Sequence, residues 1–218
     1  LTGTGGLTKS GAGRLTLNGS NTYAGATTVT AGSLFVDGGQ ANGAVQVDAG
    51  GTLGGSGVIG GAATIDGVLS PGNSPGVLTV DGLVLAGSST SIFEIDGLVR
   101  GTQYDGLDIT GSSGPTYGGT LSLVFGNASA FGNTEVFNLF DFTGASAGGF
   151  SSVTSTGFYG GTWSGASGLW TLQSGGQTLT FSQSTGDISV VPEPAILGLV
   201  GIGMAAAAGA RRRRAPAK

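Results

Sequence analysis

Glycine is the residue that most constrains what this chain can fold into. It supplies 47 of the 218 residues, and each glycine inside a helix costs about 0.8–1 kcal/mol relative to alanine. The glycines do not recur at every third position, which excludes a collagen helix. The net charge is only −4 and the mean hydropathy is +0.26, so the chain can bury apolar surface. The composition therefore predicts an ordered protein that is not helical.

Two missing residue types exclude many chemistries. The chain has no histidine and no cysteine, so it has neither a Ser-His-Asp triad nor an imidazole or thiolate metal site. Residues 55–60 fit GxGxxG, but no βαβ unit surrounds them. The tandem glycine-aspartate array of calcium-binding repeats is also absent. We therefore predict a non-enzymatic protein without a metal ion or cofactor.

Short alternating segments predict many strands. Apolar and polar residues alternate over three to six positions and then meet glycine, serine, asparagine or aspartate, as in residues 121–125. A β-branched residue followed by aspartate recurs with offsets of 11, 18, 15 and 15 residues, at Asp37, Asp48, Asp66, Asp81 and Asp96. Such offsets suit one coil, or part of one, in a β-solenoid whose corners need small residues. The predicted fold class is all-β: a right-handed parallel β-helix over residues 1–110, then wider coils or a small β-sandwich cap over residues 111–190.

The N-terminal segment carries a family pattern. Residues 5–34 contain Leu7-x-Lys9, a Gly-x-Gly pair, Leu15-x-Leu17, Asn21-x-Tyr23 and a later Gly-x-Thr-x-Val. This segment resembles an autotransporter-associated β-strand repeat. The resemblance implies stacked coils of a passenger-type β-helix on an exported protein. The long run of amphipathic strands needed for a membrane barrel does not follow, so secretion through an attached barrel is not implied.

The C-terminal segment has three elements in order. Val191, Pro192, Glu193 and Pro194 precede an apolar run over residues 195–210, which predicts one short transmembrane helix. Arg211, Arg212, Arg213 and Arg214 follow as a membrane stop, and residues 215–218 form a short tail. Residues 191–214 resemble a PEP-CTERM sorting signal, which implies an exosortase-type membrane peptidase as partner. A plain tail anchor is the alternative.

The charge distribution completes the functional prediction. Residues 1–190 carry a balance of −8 and residues 191–218 one of +4, and the acidic body argues against nucleic acid as a partner. We predict an exported surface or extracellular-matrix protein that contacts the membrane transiently through residues 195–210, with exopolysaccharide as a candidate partner. The simplest account of residue 1 being leucine is that the chain is a piece of a longer product.

The alternative function is a carbohydrate-binding or carbohydrate-active β-helix that uses paired carboxylates. Asp105 and Asp108 are the sequence candidates, but three residues apart in a strand they face opposite sides. Two carboxylates about 5–10 Å apart in an aromatic-lined groove would favour this alternative.

Overall fold

A computed structural model describes residues 1–41 and 43–193. All the regular elements in these ranges are β-strands, which confirms the all-β prediction. The strands are β1 (Leu7–Lys9), β2 (Arg14–Leu17), β3 (Ser20–Asn21), β4 (Thr27–Val29), β5 (Gly32–Val36), β6 (Gly39–Gln40), β7 (Val45–Val47), β8 (Gly51–Gly55), β9 (Val58–Ile65), β10 (Val68–Pro71), β11 (Val77–Leu85), β12 (Thr90–Ile95), β13 (Gly106–Ile109), β14 (Thr116–Tyr117), β15 (Thr120–Phe125), β16 (Val136–Asn138), β17 (Phe140–Phe142), β18 (Ala147–Gly148), β19 (Ser152–Gly157), β20 (Gly161–Thr162), β21 (Ser164–Ala166), β22 (Leu169–Ser174), β23 (Gln177–Ser182) and β24 (Asp187–Pro192).

The chain passes back and forth between two parallel sheets and adds strands to each in turn. Sheet A runs β1-β4-β7-β9-β11-β13-β17, with β3, β6, β14 and β18 beside this path. Sheet B runs β2-β5-β8-β10-β12-β15-β19, and β20 adds to it antiparallel. Between β2 and β19, one or two strands of sheet A lie between successive strands of sheet B, and the strands along each path pair in parallel with their equivalents one coil later. This is the arrangement of a β-solenoid; its right-handed sense stays a prediction.

The sheet register gives the true coil length. On the inner face of sheet B the stacked positions are Leu15, Leu34, Leu53, Leu69, Ser91, Leu121 and Val153. The first four steps between them are 16 to 22 residues, and the last two are 30 and 32. Among the aspartate units, only Asp48 and Asp66 follow paired residues of adjacent coils. Four of the five aspartates follow the last residue of a strand, whereas Asp81 lies within β11 at a shift of register, so the recurring aspartate does not mark a coil.

An antiparallel sheet follows the wide coils. Sheet C has the order β16-β24-β23-β22-β21. Its buried Phe181 packs against Phe140 and Phe150 of the last coils, with ring centroids 6.3 and 6.0 Å apart. Aromatic side chains each bury a large apolar area, so this cluster fastens sheet C to the solenoid. The boundary proposed at residue 110 stays a prediction.

The described residues contain no helix long and apolar enough to cross a membrane. The predicted helix over residues 195–210 lies outside the described part of the chain, as do Pro194 and the arginines at 211–214.

The lysine of the N-terminal repeat has a structural task. Lys9 is buried, and its Nζ donates to the carbonyl oxygens of Ser10 (3.1 Å), Gly11 (2.7 Å) and Ala31 (2.9 Å). Ala31 belongs to the next coil, so the ammonium group joins two coils at one corner. Charge-assisted bonds of this kind satisfy carbonyl oxygens that the sheet ladder does not use.

We expect Lys9→Met to lower the free energy of unfolding by about 2–3 kcal/mol, because the apolar stem is kept while three charge-assisted hydrogen bonds are lost. Urea unfolding followed by circular dichroism measures this effect. Thr8→Val is the matched control, because Thr8 lies on the same strand with an exposed side chain. A Lys9→Met variant as stable as the control variant would contradict the assignment.

Candidate functional site

The motif Val191-Pro192-Glu193 begins on the last strand of sheet C. Strand β24 pairs with β23 up to the Thr178–Val191 and Gln177–Pro192 positions. Val190 is 1% exposed, whereas Val191 is 43% exposed and the next two residues are exposed. The motif therefore starts immediately after the last buried side chain.

Proline fits this position because the sheet is open there. Strand β16 pairs with β24 only from Asp187 to Ser189, so the end of β24 has a strand partner on one side. Proline cannot donate to a ladder and is tolerated where the strand edge is free. The backbone N–H of Glu193 donates to the carbonyl oxygen of Gly176 at 3.3 Å, which is the last contact of this strand end with sheet C. The described part of the motif is thus an extended peptide with exposed side chains at the end of β24.

The two sequence-predicted carboxylates are not brought together as a pair. Asp105 is 1% exposed and precedes β13, whereas Asp108 on β13 is partly exposed. An oxygen of Asp108 lies 2.8 Å from Nη1 of Arg100. The two carboxyl groups therefore contact different partners, and because Asp105 lies outside β13 the expectation that strand alternation separates them stays a prediction.

Asp105 instead shares a groove with Glu94, which sequence reasoning did not select. Both line a groove of about 220 Å³ on the outer side of sheet B, together with Arg14, Phe35 and residues 70–74. The carboxylate of Asp105 accepts from the backbone N–H of Gly76 at 2.9 Å and that of Glu94 at 2.8 Å. The Ser74 hydroxyl donates to Glu94. No local spacing signals this group, because Gly76 and Asp105 are 29 residues apart in the chain.

The electrostatics of this groove are dominated by Asp105. Burial raises the pKa of its carboxyl from 3.8 to about 7, and the neighbouring charges of Glu94 and Asp96 add to the rise, although the two backbone N–H groups oppose it. The aromatic ring in the groove is not free, because the Arg14 guanidinium lies 3.4 Å from the centroid of Phe35. With both its oxygens bonded to backbone, Asp105 anchors the turn over residues 70–76 and is not placed to transfer a proton to a ligand.

Comparison with known families gives one match in the N-terminal segment and one in the C-terminal segment. The Passenger-associated-transport-repeat model matches residues 7–35, and the PEP-CTERM protein-sorting motif matches residues 190–214. The chain carries both elements. Each match agrees with the segment that the sequence indicated, and the PEP-CTERM motif begins at the last buried residue of β24.

Two curated proteins share part of the chain. A 77-residue segment is 44% identical to the adhesin BmaC autotransporter of Brucella suis biovar 1 (strain 1330), covering 34% of this chain and 2% of that protein. A 77-residue segment is also 44% identical to an extracellular serine protease of Serratia marcescens, covering 35% of this chain and 7% of the protease. The chain thus corresponds to a small fraction of either relative.

Proposed function

We propose that this chain is a non-enzymatic component of the cell surface or extracellular matrix, released or attached there after processing of its PEP-CTERM motif. The observation that carries the proposal is the position of that motif. The match begins at the buried Val190 of sheet C, and the residues of the Val191-Pro192-Glu193 peptide that follows are exposed. An exosortase-type peptidase could therefore reach the peptide without unfolding the domain.

The tail supplies the sorting step. Residues 195–210 would hold the exported chain transiently in the inner membrane, and Arg211, Arg212, Arg213 and Arg214 would stay in the cytoplasm under the positive-inside rule. Cleavage at the motif would then free the acidic solenoid on the outer side. Tail-removal signals elsewhere use the same logic of a spacer and an apolar segment that the mature protein loses.

The solenoid supplies the structural role. Stacked coils form a stiff body whose outer faces are an extended surface for contacts. The relative named as an adhesin supports such a role, and exopolysaccharide is one candidate partner in the matrix. We propose a rigid spacer or adhesive surface.

A carboxylate-based glycosidase is the weaker candidate. Glu94 and Asp105 do line one groove, but each oxygen of the buried Asp105 already accepts from a backbone N–H group, and Phe35 is covered by Arg14. Proteolysis has still less support, because the chain has no histidine for a Ser-His-Asp triad and matches only 7% of the protease relative.

We expect the double change Pro192→Ala and Pro194→Ala to stop processing in a host that contains the peptidase. The chain would keep its tail, remain about 2.3–2.7 kDa larger, and fractionate with the inner membrane, because the extended Pro-Glu-Pro peptide is lost. Immunoblotting of fractions and mass spectrometry of the C-terminus measure both outcomes.

Pro216→Ala is the matched control, because Pro216 lies beyond the matched motif. It should be processed as the natural chain is. If the double variant reaches the same size and location as this control, the sorting proposal fails. A natural chain whose mature form still ends at residue 218 would instead identify a permanent tail anchor.

A further inference from the structure

A second groove lies where the last coil meets sheet C. It has a volume of about 620 Å³ and is lined by residues of the segments 146–151, 165–170 and 182–184. This volume falls within the range of about 300–1,000 Å³ that is typical of ligand sites. The groove is separate from the acidic groove of Glu94 and Asp105 and from the PEP-CTERM motif, so nothing described above uses it.

An indole and an amide are fixed beside one another in this groove. Trp170 is partly exposed, and its Nε1 donates to Oε1 of Gln183 at 3.1 Å. Gln183 is 4% exposed, and its backbone N–H donates to the carbonyl oxygen of Gly168 at 2.8 Å. Both side chains are therefore held in place before any ligand arrives, which lowers the entropy cost of binding.

Gly165 and Gly149 border these two side chains. A Cβ on Gly165 would lie 2.9 Å from the indole ring of Trp170. A Cβ on Gly149 would lie 3.8 Å from the side-chain nitrogen and oxygen of Gln183, which is ordinary contact distance. A larger side chain at position 149 would thus enter the groove without colliding with the backbone.

The remaining polar groups are uncharged. The Ser146 hydroxyl donates to the carbonyl oxygen of Gln183 at 3.1 Å, and the Ser182 and Ser184 hydroxyls lie 3.0 Å apart. Serine oxygens that donate one bond can still accept others. Among the described residues lining the groove, none carries a charge. A phosphate, a carboxylate or a cationic peptide would therefore find no ion pair here.

We propose that this groove binds an uncharged polysaccharide chain. The apolar C–H face of a pyranose ring packs against an indole ring, while its rim of hydroxyls exchanges hydrogen bonds with serine oxygens; the buried Gln183 amide orients the indole. The groove offers these groups together and lies open at the end of the solenoid. The site belongs to the folded domain, so it does not depend on processing of the tail.

The test is a fluorescence titration of the full chain with cellohexaose, maltohexaose and mannohexaose, and with hexagalacturonate as the anionic comparison. We expect at least one neutral hexasaccharide to bind, with an affinity unchanged between about 50 and 500 mM NaCl, because no ion pair contributes. Trp170→Ala and Gly149→Leu should each weaken that binding by at least about tenfold. Binding to the Trp170 variant is followed by calorimetry, since its indole is lost.

Gly87→Leu is the matched control for the filled groove, because Gly87 also has open space around it but lies on the turn between β11 and β12, which does not line the groove. It should bind within about twofold of the natural chain. Thermal melts establish that all three variants are folded. The proposal is overturned if no neutral hexasaccharide binds, if only hexagalacturonate binds, or if folded Gly149→Leu binds as well as Gly87→Leu.

Discussion

Replacing Gly38 with alanine is expected to lower the free energy of unfolding of the solenoid by about 2–3 kcal/mol, a large effect for one added methyl group. The reason is the neighbouring coil. A Cβ on Gly38 would overlap the carbonyl oxygen of Gly19 and lie 2.6 Å from that of Asn18. Both obstacles are backbone atoms of the preceding coil, so neither can rotate away as a side chain could.

The next coil repeats the same contact. Gly57 stands 19 residues after Gly38, and a Cβ on Gly57 would overlap the carbonyl oxygen of Gly38. The backbone N–H groups of Gly38 and Gly57 donate to the carbonyl oxygens of Leu17 and Val36, which fixes how closely the coils approach. Relief of the collision would require breaking these hydrogen bonds, and the cost would spread to both adjoining coils.

Gly39→Ala provides the matched control, since Gly39 is the next residue in the chain and a Cβ there would meet nothing within 4 Å. It should change the free energy of unfolding by less than about 0.5 kcal/mol, or raise it by reducing the freedom of the unfolded chain. Urea unfolding of both variants measures the difference. Equal stability of the two alanine variants would show that coil stacking does not require glycine at position 38.

The same glycines show which features of the fold could be predicted from the sequence and which could not. The composition and the alternation of residues such as 121–125 were sufficient for an all-β solenoid, because these are local properties of strands and corners. The reason for Gly38 and Gly57 differs from the positive φ expected at corners, since their backbone is not left-handed. They are needed for close approach between coils, and that distance is visible only once the register is known.

The register between stacked coils could not be predicted from the sequence. Coil steps vary from 16 to 32 residues on sheet B, so no fixed period marks them, and the recurring aspartate suggested shorter ones. The contact of Asp105 with Gly76 depends on how the coils stack, whereas that of Trp170 with Gln183 follows from the antiparallel pairing of β22 with β23. The two chain ends were recognised because their signals are contiguous, and both family matches agree with them.

Asp105→Ala is expected to lower the free energy of unfolding by about 2–4 kcal/mol at pH 5. The carboxyl group accepts from the backbone N–H groups of Gly76 and Glu94. Alanine would leave both donors without a partner in a buried place and would release the turn over residues 70–76. Asp108→Asn is the matched control, since its carboxyl group is partly exposed and close in the chain; it should cost less than about 1 kcal/mol.

The loss should shrink as the pH rises. Burial, followed by the charges of Glu94 and Asp96, raises the pKa of Asp105 from 3.8 to about 7. Between these two values the folded chain holds a proton that the unfolded chain has released, so protonation of Asp105 favours folding. This stabilisation is complete below about pH 4, decreases between about pH 4 and 7, and is absent above about pH 7. Across that range the free energy of unfolding of the natural chain falls by up to about 4 kcal/mol.

The alanine variant lacks this proton, so its stability should fall less with rising pH than that of the natural chain. The gap between the two should therefore be widest near pH 5 and narrowest near pH 8, opposite to the trend of a carboxylate held by a salt bridge. Urea unfolding at pH 5, 6, 7 and 8 measures the gap, with Asp108→Asn as the reference for the other carboxyl groups. A gap that is constant or grows towards pH 8 would mean that Asp105 is ionised in the folded chain throughout, with its two backbone donors outweighing the cost of burial.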